Sequence, residues 1–128
     1  MRNLAFGILT ILVSLSALAD TITAHYDCST TLPSGSAEVI VFDSGKITLH
    51  FYNQSRNQTY TGVLQVNSSE AGQFIAAGNV TAYEMHPVIP VSLYGSTSLA
   101  DEESFQLYAG ADRRIEFGYG NILHCKKQ

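Results

Sequence analysis

Basic residues are scarce in this sequence: Lys and Arg total 7 against 11 Asp and Glu, for a formal net charge of −4. Nucleic-acid backbones and anionic membrane surfaces recruit cationic groups, so this balance argues against both as partners. It favours encounter with a basic protein. Cysteine is nearly absent as well, with only Cys28 and Cys125. Their separation rules out a Cys-x-x-Cys redox pair and any multi-cysteine metal pattern. Also missing are a Gly-x-Ser-x-Gly elbow, a His-Glu-x-x-His pair and a glycine-rich phosphate loop with its lysine. The adjacent carboxylates Asp101, Glu102 and Glu103 read as a solvated turn, because glycoside chemistry needs two carboxyl groups facing each other across a cleft. The chain is therefore expected not to be an enzyme, with no cofactor and no assigned metal ligands.

The N-terminus carries Arg2, then an apolar run from Leu4 to Leu18, and closes on Ala17-Leu18-Ala19. A charged start, a short apolar core and small residues at the cleavage point form the pattern of an export signal. Residues 1–19 are thus predicted to be a signal peptide and residues 20–128 a single all-β domain. The apolar core is too short for a good spanning helix, which needs about 20 apolar residues, and no later stretch approaches that length. No membrane anchor is expected after cleavage. The predicted location is periplasmic or extracellular, an oxidising compartment in which Cys28 and Cys125 form one disulfide tying the first strand to the last.

No segment sustains the three-and-four spacing of an amphipathic helix. Short β-branched and aromatic runs recur instead between turn formers. They predict strands at 22–28, 37–42, 46–53, 59–66, 73–83, 88–94, 104–109, 114–119 and 122–126. The expected fold is all-β: a small antiparallel barrel or a two-sheet sandwich of seven to nine strands. Turns are predicted at Leu32-Pro33-Ser34-Gly35, Asp43-Ser44-Gly45, Asn67-Ser68-Ser69-Glu70 and Gly110-Ala111-Asp112, all rich in turn residues. Alternation sends Ile47, Leu49 and Phe51 to the core, and likewise Tyr60, Leu64 and Val66, and Phe105 and Leu107. Gly62 and Gly78, inside strands, predict a bulge or bend, as do Gly118 and Gly120 near the last strand. Pro87 and Pro90 predict an edge or loop position for 86–91, since each lacks a ladder donor.

Alternation also places His25 and Asp27 on the face of the first strand opposite Cys28, and His124 opposite Cys125. A disulfide between those strands would gather His25, Asp27 and His124 on its reverse side. Such a set can hold a divalent ion, but without a closely spaced ligand motif it reads first as a surface histidine beside a carboxylate. Asn53, Asn57, Asn67 and Asn79 begin Asn-x-Ser/Thr triplets, which predict glycosylation if the host is eukaryotic. The 7 tyrosines suit strand positions where the ring buries and the hydroxyl reaches outward.

The segments Tyr26-Asp27-Cys28 and Tyr119-Gly120-Asn121-Ile122-Leu123-His124-Cys125, flanking a small acidic β domain, resemble the framework of the bacterial periplasmic inhibitors of c-type lysozyme. The resemblance implies an exported antiparallel barrel bridged between an N-terminal Tyr-x-Cys and a C-terminal Cys. It covers the two ends only. The family's inhibitory Ser-Gly-x-x-Tyr loop has its nearest counterpart in Glu70-Ala71-Gly72-Gln73-Phe74, which keeps only the glycine, so no inhibitory residues carry over.

Two functions follow as expectations. The first is a protein-binding or inhibitor-like module that presents loops or an edge to a basic partner. The alternative is a barrel enclosing a small apolar ligand, as closed barrels of about eight strands can, or a purely structural secreted protein.

Overall fold

The computed structural model describes residues 20–31, 34–54, 57–82, 88–109 and 121–128. Eight strands follow one another along the chain: β1 (Ile22–Thr31), β2 (Ser34–Phe42), β3 (Lys46–Asn53), β4 (Gln58–Glu70), β5 (Gln73–Ala82), β6 (Ile89–Ser96), β7 (Glu102–Tyr108) and β8 (Asn121–Lys127). Each pairs antiparallel with the next, and β8 returns to pair with β1, giving a closed up-and-down barrel. Among the described residues every strand therefore has a neighbour on each side, and none is left as a free edge. Barrel, not sandwich, is the outcome of the two architectures expected. No helix among the described residues is long and apolar enough to cross a membrane.

Inside and outside follow the period-two alternation. Ala24, Tyr26 and Cys28 of β1 point inward, as do Ile47, Leu49 and Phe51 of β3, Tyr60 and Leu64 of β4, and Phe105 and Leu107 of β7. Tyr26 packs edge-on against Phe105 with ring centroids 5.2 Å apart, and Phe74 of β5 joins the same ring at 6.1 Å. Val66 is partly buried and packs against this core, and beyond it a register shift between Val66 and Ser68 breaks the phase of β4.

Gly62 and Gly78 mark close backbone approach, with the bulge falling elsewhere. A Cβ on Gly62 would collide with the Asn79 carbonyl, and one on Gly78 with the Val63 carbonyl. The pairs Gly62↔Val80 and Leu64↔Gly78 therefore bring β4 and β5 together as no larger residue allows.

Several expected boundaries move. The predicted turn Asn67-Ser68-Ser69-Glu70 lies within β4, which runs to Glu70 and turns on Ala71-Gly72. Both turn residues have positive φ, 56° and 81°, the backbone of a two-residue hairpin whose twist matches the strands it joins. Polar composition had suggested a turn where paired strand continues. The turn at Asp43-Ser44-Gly45 forms as expected, with the Gly45 N–H donating to the Phe42 carbonyl at 3.0 Å. Pro90 lies within β6, opposite Asn79 of β5. The expected edge or loop position is not what forms: β6 is a member of the closed barrel, and its described pairs with β7 run from Ser92 to Tyr94. The expected strand 114–119, the turn Gly110-Ala111-Asp112 and the glycines Gly118 and Gly120 lie outside the described residues, as do residues 1–19 with the export signal.

Candidate functional site

The disulfide forms as the sequence predicts. Cys28 and Cys125 are direct register partners on β1 and β8, with a Cα–Cα distance of 4.0 Å and both side chains buried. It crosses the seam where the barrel closes. A disulfide-bonded small barrel is consistent with export.

The barrel end that carries the β2–β3, β4–β5 and β6–β7 connections is tied together from one connection to the next. The Asp43 N–H donates to the Thr21 carbonyl at 2.9 Å, Val66 to Gly45 at 2.9 Å, Thr97 to Gly72 at 2.9 Å and Lys127 to Asp101 at 2.7 Å. Acidic residues concentrate on this rim: Asp20, Asp43, Glu70, Asp101, Glu102 and Glu103. Opposing them among the described residues are Lys46, whose ammonium lies 3.1 Å from Asp20, and Lys126 and Lys127 on β8. Hydrogen bonds from Lys46 and Ser44 hold the Asp20 carboxyl below its ordinary range.

The β6–β7 connection is the most firmly fixed part of this rim. Glu103 accepts from the Ala100 N–H at 2.6 Å and from the Ser98 hydroxyl at 2.8 Å, which holds Leu99 at a φ of 49°. From inside the barrel, the Tyr26 hydroxyl donates to the Ala100 carbonyl at 2.7 Å. Burial pushes the Tyr26 phenol up to about 12, with the negative charges of Glu103 and Asp101 adding to the effect. The three carboxylates that read as one solvated turn thus divide: Asp101 and Glu102 face solvent, while Glu103 is a clamp. Alternation could not reveal this, because the clamp is set by the path of the loop.

The histidines are only partly brought together. His25, Asp27 and His124 all lie on the outer wall, but His124 pairs with Ser29 rather than with Asp27. Glu38 of β2 takes the place expected for His124: it stands opposite Asp27 in register, and its carboxylate is 2.7 Å from His25 Nε2. Sequence reasoning missed Glu38 because the register of β1 against β2 was unknown. A two-residue connection between Thr31 and Ser34, the pair that closes this hairpin, would have found it.

Of the glycosylation triplets, Asn57, Asn67 and Asn79 are exposed, whereas Asn53 is fully buried. Asn53 ends strand β3 with its side chain inside the folded barrel, where a glycan has no room.

Among the described residues the interior is filled. Tyr26, Val39, Ile47, Leu49, Phe51, Leu93, Phe105, Leu107 and Leu123 have no solvent-accessible area, so no void wide enough for water touches them. Beside these side chains there is no space for an enclosed ligand. No family model, curated protein or solved structure matches this chain.

Proposed function

We propose that the protein is an exported, non-enzymatic binding module of inhibitor type, which docks its acidic rim against a basic protein. The observation that carries this reading is the rim itself: carboxylates gathered at one end of the barrel, on connections bonded to one another through their backbones. A surface fixed before binding loses little conformational freedom on docking, so more of its charge complementarity appears as affinity. The filled interior supports a role played on the outside. The cysteine bridge, the N-terminal signal pattern and the resemblance to periplasmic lysozyme inhibitors support an address beyond the cytoplasm. The acidic balance suits a cationic target and speeds encounter with it.

The test immobilises the purified, oxidised chain and challenges it with c-type lysozyme and with basic secreted proteins. The expected result is retention at low ionic strength that weakens steeply as salt is raised, because exposed charges are screened beyond about 10 Å at 0.1 M. Charge reversal at Glu70, Asp101 and Glu102 together should abolish it. Glu103 is left intact because it holds the loop. Retention of no basic protein, or binding indifferent to the triple reversal, defeats the reading.

A further inference from the structure

We infer that the outer wall of the barrel carries a divalent transition-metal site of zinc type, formed by His25, Asp27 and Glu38. His25 and Asp27 are two residues apart on β1 and so project from the same face, with Ala24, Tyr26 and Cys28 directed inward between and beside them. Glu38 is the register partner of Asp27 on β2 and lies diagonal to His25, whose own partner is Ile40. One imidazole nitrogen and two carboxylate oxygens all fall within 4.8 Å of one another. Ligands about 2.0–2.1 Å from a tetrahedral zinc stand about 3.3 Å apart. The existing 2.7 Å contact between His25 Nε2 and Glu38 opens to that spacing by small rotations of half-exposed side chains.

The donor set chooses the ion. Calcium and magnesium seek six or more oxygens, whereas an imidazole with two carboxylates suits zinc and its neighbours. Three protein donors leave a fourth tetrahedral position open. On one side of the cluster His50 of β3 stands opposite Glu38, in a groove that Asp27, Glu38 and His50 line together, outside the set of three donors that lie within 4.8 Å of one another. On the other side Lys126 of β8 stands opposite Asp27, a positive charge that sets an upper limit on affinity. Backbone strain plays no part: all three ligands sit on regular antiparallel strands, one of them anchored beside the disulfide at Cys28, so the scaffold is rigid before the ion arrives.

Isothermal calorimetry with Zn²⁺ on the purified, oxidised chain carrying no histidine tag tests the site. The expected result is saturable binding with one ion per chain, weakened by about tenfold or more in His25→Ala and in Glu38→Gln, as loss of a ligand requires. His124→Ala, on the same wall but outside the cluster, should bind as the parent does. Zn²⁺ should also raise the melting temperature of the parent and not of His25→Ala, which shows that the variant is folded while reporting the loss of the site. Absence of saturable Zn²⁺ binding overturns the inference, as does equal binding by the His25 and Glu38 variants, or tighter binding of Ca²⁺ than of Zn²⁺.

Discussion

At the β1–β8 seam, strands from opposite ends of the chain meet over a short stretch, Tyr26–Ser29 against His124–Lys127. In the β4–β5 hairpin, adjacent strands run together from Tyr60 and Ala82 down to Glu70 and Gln73. The seam carries the long-range ties: the Cys28–Cys125 bridge spans 97 residues of sequence, and the Tyr26 hydroxyl reaches Ala100, 74 residues away. The hairpin has no disulfide, and among the described residues the backbone ties from it outside the strand ladders reach only neighbouring connections: Val66 to Gly45 and Thr97 to Gly72. Its hold comes from a two-residue turn and from glycines that let the strands approach closely. The contrast follows from loop-closure entropy: a local pair costs little to bring together, whereas ends far apart in the chain begin with a larger deficit that covalent or buried polar ties must offset.

The sharpest way to break this comparison is at the bridge. Replacing Cys28 and Cys125 together by alanine should cost about 4–5 kcal/mol in the chain-entropy view of a closed loop this long. Denaturant unfolding of the oxidised and variant chains reads the difference, and a loss below 1 kcal/mol would mean that the seam holds without its bridge. Next comes the hairpin. Gly62→Ala or Gly78→Ala should each cost about 1–3 kcal/mol, since the added methyl meets a backbone carbonyl that has little freedom to move. The double variant should cost less than the sum, because one forced separation of β4 from β5 relieves both clashes.

The third prediction returns to the seam. The fold holds Tyr26 neutral up to about 12, while in the unfolded chain a tyrosine ionises near pH 10. The raised value therefore contributes stability that is complete below about pH 10, declines above it, and is gone once pH passes the folded value, a fall of about 2–3 kcal/mol. Melting curves at stepped pH should show this slope in the parent and a shallower one in Tyr26→Phe. Phenolate absorbance should show a late-titrating component that the variant lacks. The smallest expected effect has the opposite sign. Ala71 is held at a φ of 56°, a conformation costing a non-glycine residue about 1 kcal/mol, so Ala71→Asn or Ala71→Gly should stabilise the hairpin by up to about 1 kcal/mol. Thermal melting would register it as a rise of a few degrees.

Legibility in the sequence was uneven for reasons visible in particular residues. Lys46–Asn53 was read with its bounds and its buried face both correct, because Ile47, Leu49 and Phe51 alternate strictly with polar partners between two turn formers. Glu70 was misplaced because Asn67, Ser68 and Ser69 have the composition of a turn, yet pair with β5 through a bulge. The acidic rim was legible only as composition. Nothing local distinguishes Glu103, which clamps Ala100, from Glu102 beside it, since the difference lies in where the loop passes. Glu38 was invisible as a neighbour of His25 because their meeting depends on the register of β1 against β2.

By itself the sequence determined most of the described strands, the inward faces of those that alternate strictly, and which two cysteines are joined, because alternation along a strand and the pairing of a lone cysteine couple need no knowledge of distant neighbours. Tertiary structure alone decided that the strands close into a barrel, that His25 meets Glu38 and not His124, and that the carboxylates of separate turns share one rim. Those outcomes depend on register and closure, and a shift of one residue between strands would change every outward neighbour while leaving the local pattern untouched.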